Sequence, residues 1–151
     1  MADFVHLTNK TEYSLSEGAL PIARIAELCQ SFSMPAVGIS DNNNMFGALE
    51  FSEQIAKVGV QPILGCNIKI KTPKEYLHEN IEDNDLYFYL NIFSKNNEGY
   101  ENLLKCVSNA YTFNKGNAYV TVDDLIKFKD GLIILSGGNN SILTHSTGHM
   151  I

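Results

Sequence analysis

Residues 34–65 read M-P-A-V-G-I-S-D-N-N-N-M-F-G-A-L-E-F-S-E-Q-I-A-K-V-G-V-Q-P-I-L-G, and this stretch decides the fold class. Residues 36–39 are a short apolar run of buried-strand type, closed by the polar turn Asp41, Asn42, Asn43 and Asn44. A helix follows over residues 46–58, with Phe46, Leu49 and Ile55 facing inward and Gly59 just past its end. Residues 61–70, with a proline near their start, then run as a second strand. Strand, helix and strand in that order imply parallel pairing through a right-handed crossover, in an open sheet or a barrel.

The same alternation extends in both directions. Upstream, residues 4–7 are short and β-prone. Pro21 opens a helix where its missing N–H costs nothing, and Ile22, Ile25, Cys29 and Phe32 recur at spacings of three and four. Met34 and Pro35 stop that helix. Downstream, residues 72–85 are rich in charge and asparagine and read as a surface loop with room for a short helix. Residues 86–93 are aromatic and aliphatic, hence strand. Residues 96–100 turn into a helix that runs to about residue 111 with Leu103, Leu104 and Val107 inward, and residues 114–117 are a loop. Thr121 caps a short helix through residue 128, with Asp123 and Asp124 favourably placed in its first turn. Gly131 leads into residues 132–135, a fifth buried strand ending at Ser136, Gly137 and Gly138. No internal repeat or low-complexity segment interrupts the pattern.

Composition narrows the class further. With 151 residues, 44% of them hydrophobic, the chain forms one domain or part of one. Its three cysteines, Cys29, Cys66 and Cys106, lie far apart with no C-x-x-C pair, as expected of reduced, buried thiols in a cytoplasmic protein. Met1 leads into Ala2 and Asp3 without a basic or apolar leader, and no apolar run reaches the ~18 residues of a membrane span. Secretion and membrane insertion are therefore not expected. A net charge of −6 disfavours a chain whose main task is gripping phosphates. The basic stretch Lys69, Lys71 and Lys74 reads as a solvated strand edge and turn.

Residues 8–13 read T-N-K-T-E-Y, between F-V-H-L at residues 4–7 and S-L-S-E-G-A-L. This context resembles the opening motif of the PHP (polymerase and histidinol phosphatase) domain, roughly F-V-H-L-H-T-H-S-E-Y-S in metal-binding members. Residues 34–65 are similar to the signature M-P-A-L-A-I-T-D-H-G-N-M-F-G-A-V-E-F and G-I-K-P-I-I-G of that domain in bacterial DNA polymerase III alpha subunits. N-E-G-Y-E-N-L at 97–103 is similar to the family's N-x-G-Y-x-N-L, and G-L-I-I-L-S-G at 131–137 to its G-L-I-x-L-S-G. The resemblance runs from Phe4 to about Gly138, in order and with family-like gaps.

What it implies about fold is an α/β chain forming the first part of a distorted seven-stranded β/α barrel, mostly parallel, with its cleft at the C-terminal ends of the strands. The family's domain is longer than this chain. Residues 1–141 are taken as the N-terminal portion of such a domain, and residues 142–151 as a disordered or non-native tail. A truncated barrel would leave an open strand edge and uncovered apolar surface, so poor solubility or self-association is expected.

The ligand positions can be carried over one at a time. The second and third histidines of the opening motif fall on Thr8 and Lys10. T-D-H falls on Ser40, Asp41 and Asn42, and G-C-E on Gly65, Cys66 and Asn67. A histidine in the strand before N-x-G-Y corresponds to Tyr89. An ammonium has three donors and no lone pair for a cation, and multi-metal phosphoester chemistry needs several imidazoles and carboxylates. The resemblance thus implies a vestigial cleft at Thr8, Lys10, Asp41, Asn42, Asn67 and Tyr89, with no catalytic residue, metal site or cofactor in this chain. Structural roles are expected for the remaining candidates. Asp41 reads as a turn or cap residue, His6 as a satisfied core or cleft histidine, and Lys10 as solvent-exposed or paired with Asp41 or Glu12. His145 and His149 have metal-ligand spacing only if helical, and the residues between them read as a loose tail.

In function, the resemblance implies the N-terminal region of a replicative polymerase alpha subunit. Its PHP domain would stabilise the polymerase and dock the separate proofreading exonuclease. The partners would be the rest of the alpha subunit and that exonuclease, with DNA reached only through the full polymerase. Magnesium would serve the parent's nucleotidyl transfer, whose acidic residues are not among these 151. Two alternatives are an active metal-dependent PHP phosphoesterase and a stand-alone binding module.

Overall fold

A computed structural model describes residues 4–74, 87–113 and 117–136. Strand β1 (Ala36–Asn42), helix α2 (Ala48–Lys57) and strand β2 (Gln61–Lys71) form the expected strand, helix and strand. β1 and β2 pair in parallel from Ala36 opposite Gln61 to Asn42 opposite Asn67. Helix α1 (Ile22–Ser31) precedes them. Ile22, Ile25, Ala26 and Cys29 of α1, Val37 and Ile39 of β1, and Phe51 and Ile55 of α2 close one apolar core. Each large side chain in it contributes roughly 1.5–3 kcal/mol by leaving water.

Two inward assignments on α2 are corrected. Phe46 and Leu49 are 74% and 71% exposed, and the buried residues of α2 are Ala48, Phe51 and Ile55. The helix starts at Ala48, so Phe46 lies ahead of it, and the stripe at spacings of three and four from Ile55 back through Phe51 passes through Ala48 rather than Leu49. Phe32 is likewise exposed, because α1 ends at Ser31 and Phe32 is its C-cap.

The second half comprises β3 (Tyr87–Ser94), α3 (Asn97–Phe113), α4 (Val122–Lys127) and β4 (Leu132–Leu135). The strand order is β1-β2-β3-β4. Here the expectation of mostly parallel strands fails: β3 runs antiparallel to β2, and β4 antiparallel to β3. The connections explain the second reversal. Val120 bridges Ile70 at the far end of β2, so the chain has returned there by the end of α3. It then climbs back through α4, and β4 enters with Leu132 opposite Ser94, the last residue of β3. The sheet is mixed, with one parallel pairing among the three.

A second core lies on this side, formed by Cys66, Ile68 and Ile70 of β2, Phe88, Leu90 and Ile92 of β3, and Leu103, Cys106 and Ala110 of α3, with Val120 and Leu125. Leu103 is inward as expected, but Leu104 is 37% exposed and Val107 only half-buried, the stripe running through Cys106 and Ala110. α4 begins as expected: the Thr121 hydroxyl accepts from the Asp124 backbone N–H, and the Asp124 carboxylate accepts from the Thr121 backbone N–H, a reciprocal capping box. All three cysteines are buried and free.

β4 is not the buried strand expected, since Ile133, Ile134 and Leu135 are 48%, 41% and 36% exposed. Nor does the lysine stretch mark a sheet edge, for residues 69–71 pair with β3 on one side and exchange backbone hydrogen bonds with Val120 on the other, with Lys69 Nζ over the Tyr87 ring and Lys71 Nζ over the Tyr119 ring. At the entry to β4, Gly131 holds φ +73°, and its carbonyl accepts from Lys95 N–H at 2.8 Å. A Cβ on the facing Gly99 would sit 1.9 Å from that carbonyl oxygen, so α3 and this turn meet backbone to backbone. Among the described residues no helix is long and apolar enough to cross a membrane. Of the loop with room for a short helix expected over residues 72–85, residues 75–85 lie outside the described residues, as does the tail with His145 and His149.

Candidate functional site

Residues 6–9 lie alongside β1. Gly38 N–H donates to the His6 carbonyl at 2.7 Å, Ser40 N–H to the Asn9 carbonyl at 2.8 Å, and Asn9 bridges Ile39 in parallel. The close approach depends on glycine, because a Cβ on Gly38 would lie 2.5 Å from the Leu7 carbonyl oxygen. The regular strand expected at residues 4–7 does not form. The Asn9 side-chain amide takes the Gly38 carbonyl at 2.9 Å, an acceptor that a continuous ladder would give to a backbone N–H.

At the carboxyl end of β1 the structure assembles three amides across three strands. Asn42 stands opposite Asn67, and Asn67 opposite Asn91. The Asn67 amide donates to Asn91 Oδ1 at 2.9 Å, and the Ser40 hydroxyl donates to the same oxygen at 2.6 Å. Lys10 Nζ donates to Asn42 Oδ1 and stands 3.5 Å from Glu17 Oε2. The Asn42 amide, and then the Lys10 ammonium, hold the Glu17 carboxyl below the usual carboxylate range. Tyr89 lies two residues before Asn91 on β3, and its phenol is pushed up by burial and then by the Glu17 charge. Thr8 is exposed, and among the described residues no hydrogen bond draws it into the cluster.

Asp41 takes a different course. It is buried, and its carboxylate accepts from Thr11 N–H and the Thr11 hydroxyl, both at 2.7 Å, and from the Ser14 hydroxyl at 2.5 Å. Alternation along β1 puts it on the face opposite Ser40 and Asn42. It belongs to the strand itself rather than to a turn, and it fixes the loop that follows Lys10. Lys10 therefore pairs with Glu17 and not with Asp41 or Glu12. Glu12 is used elsewhere, accepting from Ile22 N–H at 3.1 Å and so capping α1, whose own N-cap is Pro21. His6 is exposed rather than sequestered, its ring edge-on to Phe4 at 4.6 Å.

Of the six cleft positions, Lys10, Asn42, Asn67 and Tyr89 are thus gathered around one region, Asp41 lies behind it, and Thr8 stands apart. Three members were missed in the sequence. Asn91 was within reach of period-two reasoning, two residues on from Tyr89. Ser40 carries no signal beyond its place in the motif, and Glu17 carries none, because its place depends on how residues 11–18 fold back. The assembled side chains offer one ammonium, one carboxylate already facing it, three amides of which Asn67 and Asn91 are bonded to each other and Asn42 to Lys10, and a phenol. Among the described residues no group of three or more His, Cys, Asp or Glu side chains could hold a metal. This donor set does not fit a divalent cation, which wants several imidazole or carboxylate ligands.

The PHP domain family matches residues 6–150. The chain belongs to the PHP domain family. Among its relatives, the DNA polymerase III subunit alpha of Haemophilus influenzae is 34% identical over 136 residues, 89% of this chain and 11% of that protein. The protein of the same name from Rickettsia felis is 36% identical over 135 residues, 88% of this chain and 10% of that protein. The chain thus spans about a tenth of the length of these curated relatives. Among solved structures, a protein of Bifidobacterium adolescentis assigned as a metal-dependent phosphoesterase superposes with a TM-score of 0.52 at 17% identity, over 73% of this chain and 34% of that one. An amidohydrolase from Chromobacterium violaceum, with bound sulfate and no metal, gives 0.52 at 12% identity over 70% and 32%. At such identities these likenesses speak to the fold alone.

Proposed function

We propose that this PHP chain is the N-terminal region of a replicative DNA polymerase III alpha subunit, and that its cleft has given up metal chemistry for a structural role. The observation that carries the reading is the cleft chemistry: where catalysis would need imidazoles and carboxylates around cations, there is an ammonium held by an amide and a carboxylate. The identity to alpha subunits across most of the chain supports the placement in a polymerase. In this reading the described sheet is the first part of a seven-stranded barrel. The domain braces the polymerase and docks the proofreading exonuclease. Templated nucleotidyl transfer with magnesium, and contact with DNA, belong to the rest of the subunit in the cytoplasm.

The test is metal content and metal-stimulated phosphoesterase activity of the purified chain, beside a variant carrying Thr8→His and Lys10→His. The expected result is no stoichiometric manganese, zinc or iron and no hydrolysis by the wild type. Two or more bound metals with turnover would sink the reading in favour of an active phosphoesterase. Co-elution of the purified exonuclease with the full alpha subunit, and its loss when the PHP region is removed, tests the docking half.

A further inference from the structure

Residues 11–18 cross the carboxyl end of β1 and are tied down from both sides of that strand. From behind, Asp41 grips Thr11 and Ser14, and the Ser14 carbonyl takes Gly18 N–H at 2.8 Å. From the cleft side, Lys10 Nζ donates to Asn42 Oδ1 and faces Glu17 Oε2 at 3.5 Å. Lys10 is only 26% exposed in its side chain, whereas Glu17 is 58% exposed. The ammonium is therefore the sheltered member, and Glu17 comes to it from the loop. In the family resemblance, Lys10 and Asn42 both fall on positions of histidines in the metal-binding motif, so the cleft's positive charge here is that of a side chain.

We propose that Lys10 is the cleft's own cation, latching residues 11–18 to β1 through Glu17 and Asn42. It supplies this loop with an electrostatic anchor on the sheet. The inference rests on the degenerate-cleft reading and adds to it a named residue and a mechanical role. A single ammonium has one charge and a fixed tether, so it orders the loop without offering an open coordination position to a substrate.

Amide hydrogen exchange on the whole 151-residue chain reads the latch directly. Lys10→Met should speed exchange across residues 14–18 roughly fivefold, the size expected of one partly exposed ion pair. Lys10→Arg should stay within roughly twofold of the wild type. Glu17→Gln should reproduce the acceleration by itself and add nothing on top of Lys10→Met. Raising salt to about 0.5 M should speed exchange in the wild type and leave Lys10→Met unmoved. Equal exchange in the wild type and both single variants, or additive effects of the two, overturns the latch. Stoichiometric manganese in the wild type instead overturns the degenerate-cleft reading, and it is measured separately by metal analysis. If Lys10→Met disturbs the whole fold, exchange in α1 and β2 rises as well, and Glu17→Gln, at an exposed side chain, then decides the matter.

Discussion

The two faces of β1 at its carboxyl end present opposite solutions to the same problem of holding residues 11–18. Behind the strand, Asp41 is buried and receives three short hydrogen bonds. In front, Lys10 and Glu17 form a partly solvated ion pair. Removing Asp41 would strand buried donors, whereas the partners of Lys10 on the other face can still turn to water. Architecture and chemistry, which share one motif in sequence, are separated here by a single step along a strand.

The largest effect that would break this contrast is Asp41→Ala. It leaves the Thr11 N–H and two hydroxyls buried without an acceptor and should cost about 3–5 kcal/mol in chemical denaturation. Asp41→Asn, which keeps one acceptor oxygen, should cost less. A loss under about 1 kcal/mol for Asp41→Ala would mean that the buried face is no more essential than the exposed one.

An intermediate effect concerns Cys66, whose Sγ lies 3.3 Å from the Asp41 carbonyl on the buried face. Burial pushes its thiol up to about 12, and that of Cys106 up to about 11. In the unfolded chain both would ionise near pH ~8.5. Their raised folded values make the associated stability complete below that pH and progressively lost as pH rises toward the folded values. Denaturant midpoints between pH 8 and 11 should show this decline, and Cys66→Ala should flatten it. An unchanged slope in Cys66→Ala would assign the alkaline loss to other groups.

The smallest effect is on the solvated face. The Glu17 carboxyl is held low by Asn42 and Lys10, with Tyr89 the other titratable group beside it. A lowered folded value means that its contribution is present above the ordinary carboxylate range and disappears as pH falls through the folded value. Thermal midpoints below pH 5 should fall slightly more steeply for the wild type than for Glu17→Gln. Parallel curves would show that the pair contributes nothing to stability.

Much of this architecture was legible in the residues. The strand, helix and strand of residues 36–71 follow from apolar runs and punctuation, and the Thr121 cap from its own sequence. The direction of β4 was not legible, because it depends on α4 carrying the chain back before β4, and no local pattern encodes that path. The stripes on α2 and α3 slipped because small residues, Ala48 on one and Cys106 and Ala110 on the other, hold buried positions while the larger Leu49 and Leu104 face out. In the cleft, Lys10, Asn42, Asn67 and Tyr89 were reached through aligned motifs. Glu17 and the Asp41 cage were not, since both arise from residues 11–18 folding back over β1, a tertiary event with no periodic trace.

Gly99 and Gly131 carry a consequence for how this chain can change over time. Each would need a Cβ where the other's backbone already lies, and Gly131 holds a positive φ besides. When a clash is with a side chain, a smaller neighbour can relieve it, and lineages cross such barriers by paired replacement. Here the obstacle is main chain, so no replacement elsewhere restores the space. Drift at either site meets a wall with no detour, so the junction of α3 with β4 admits glycine alone at these two positions.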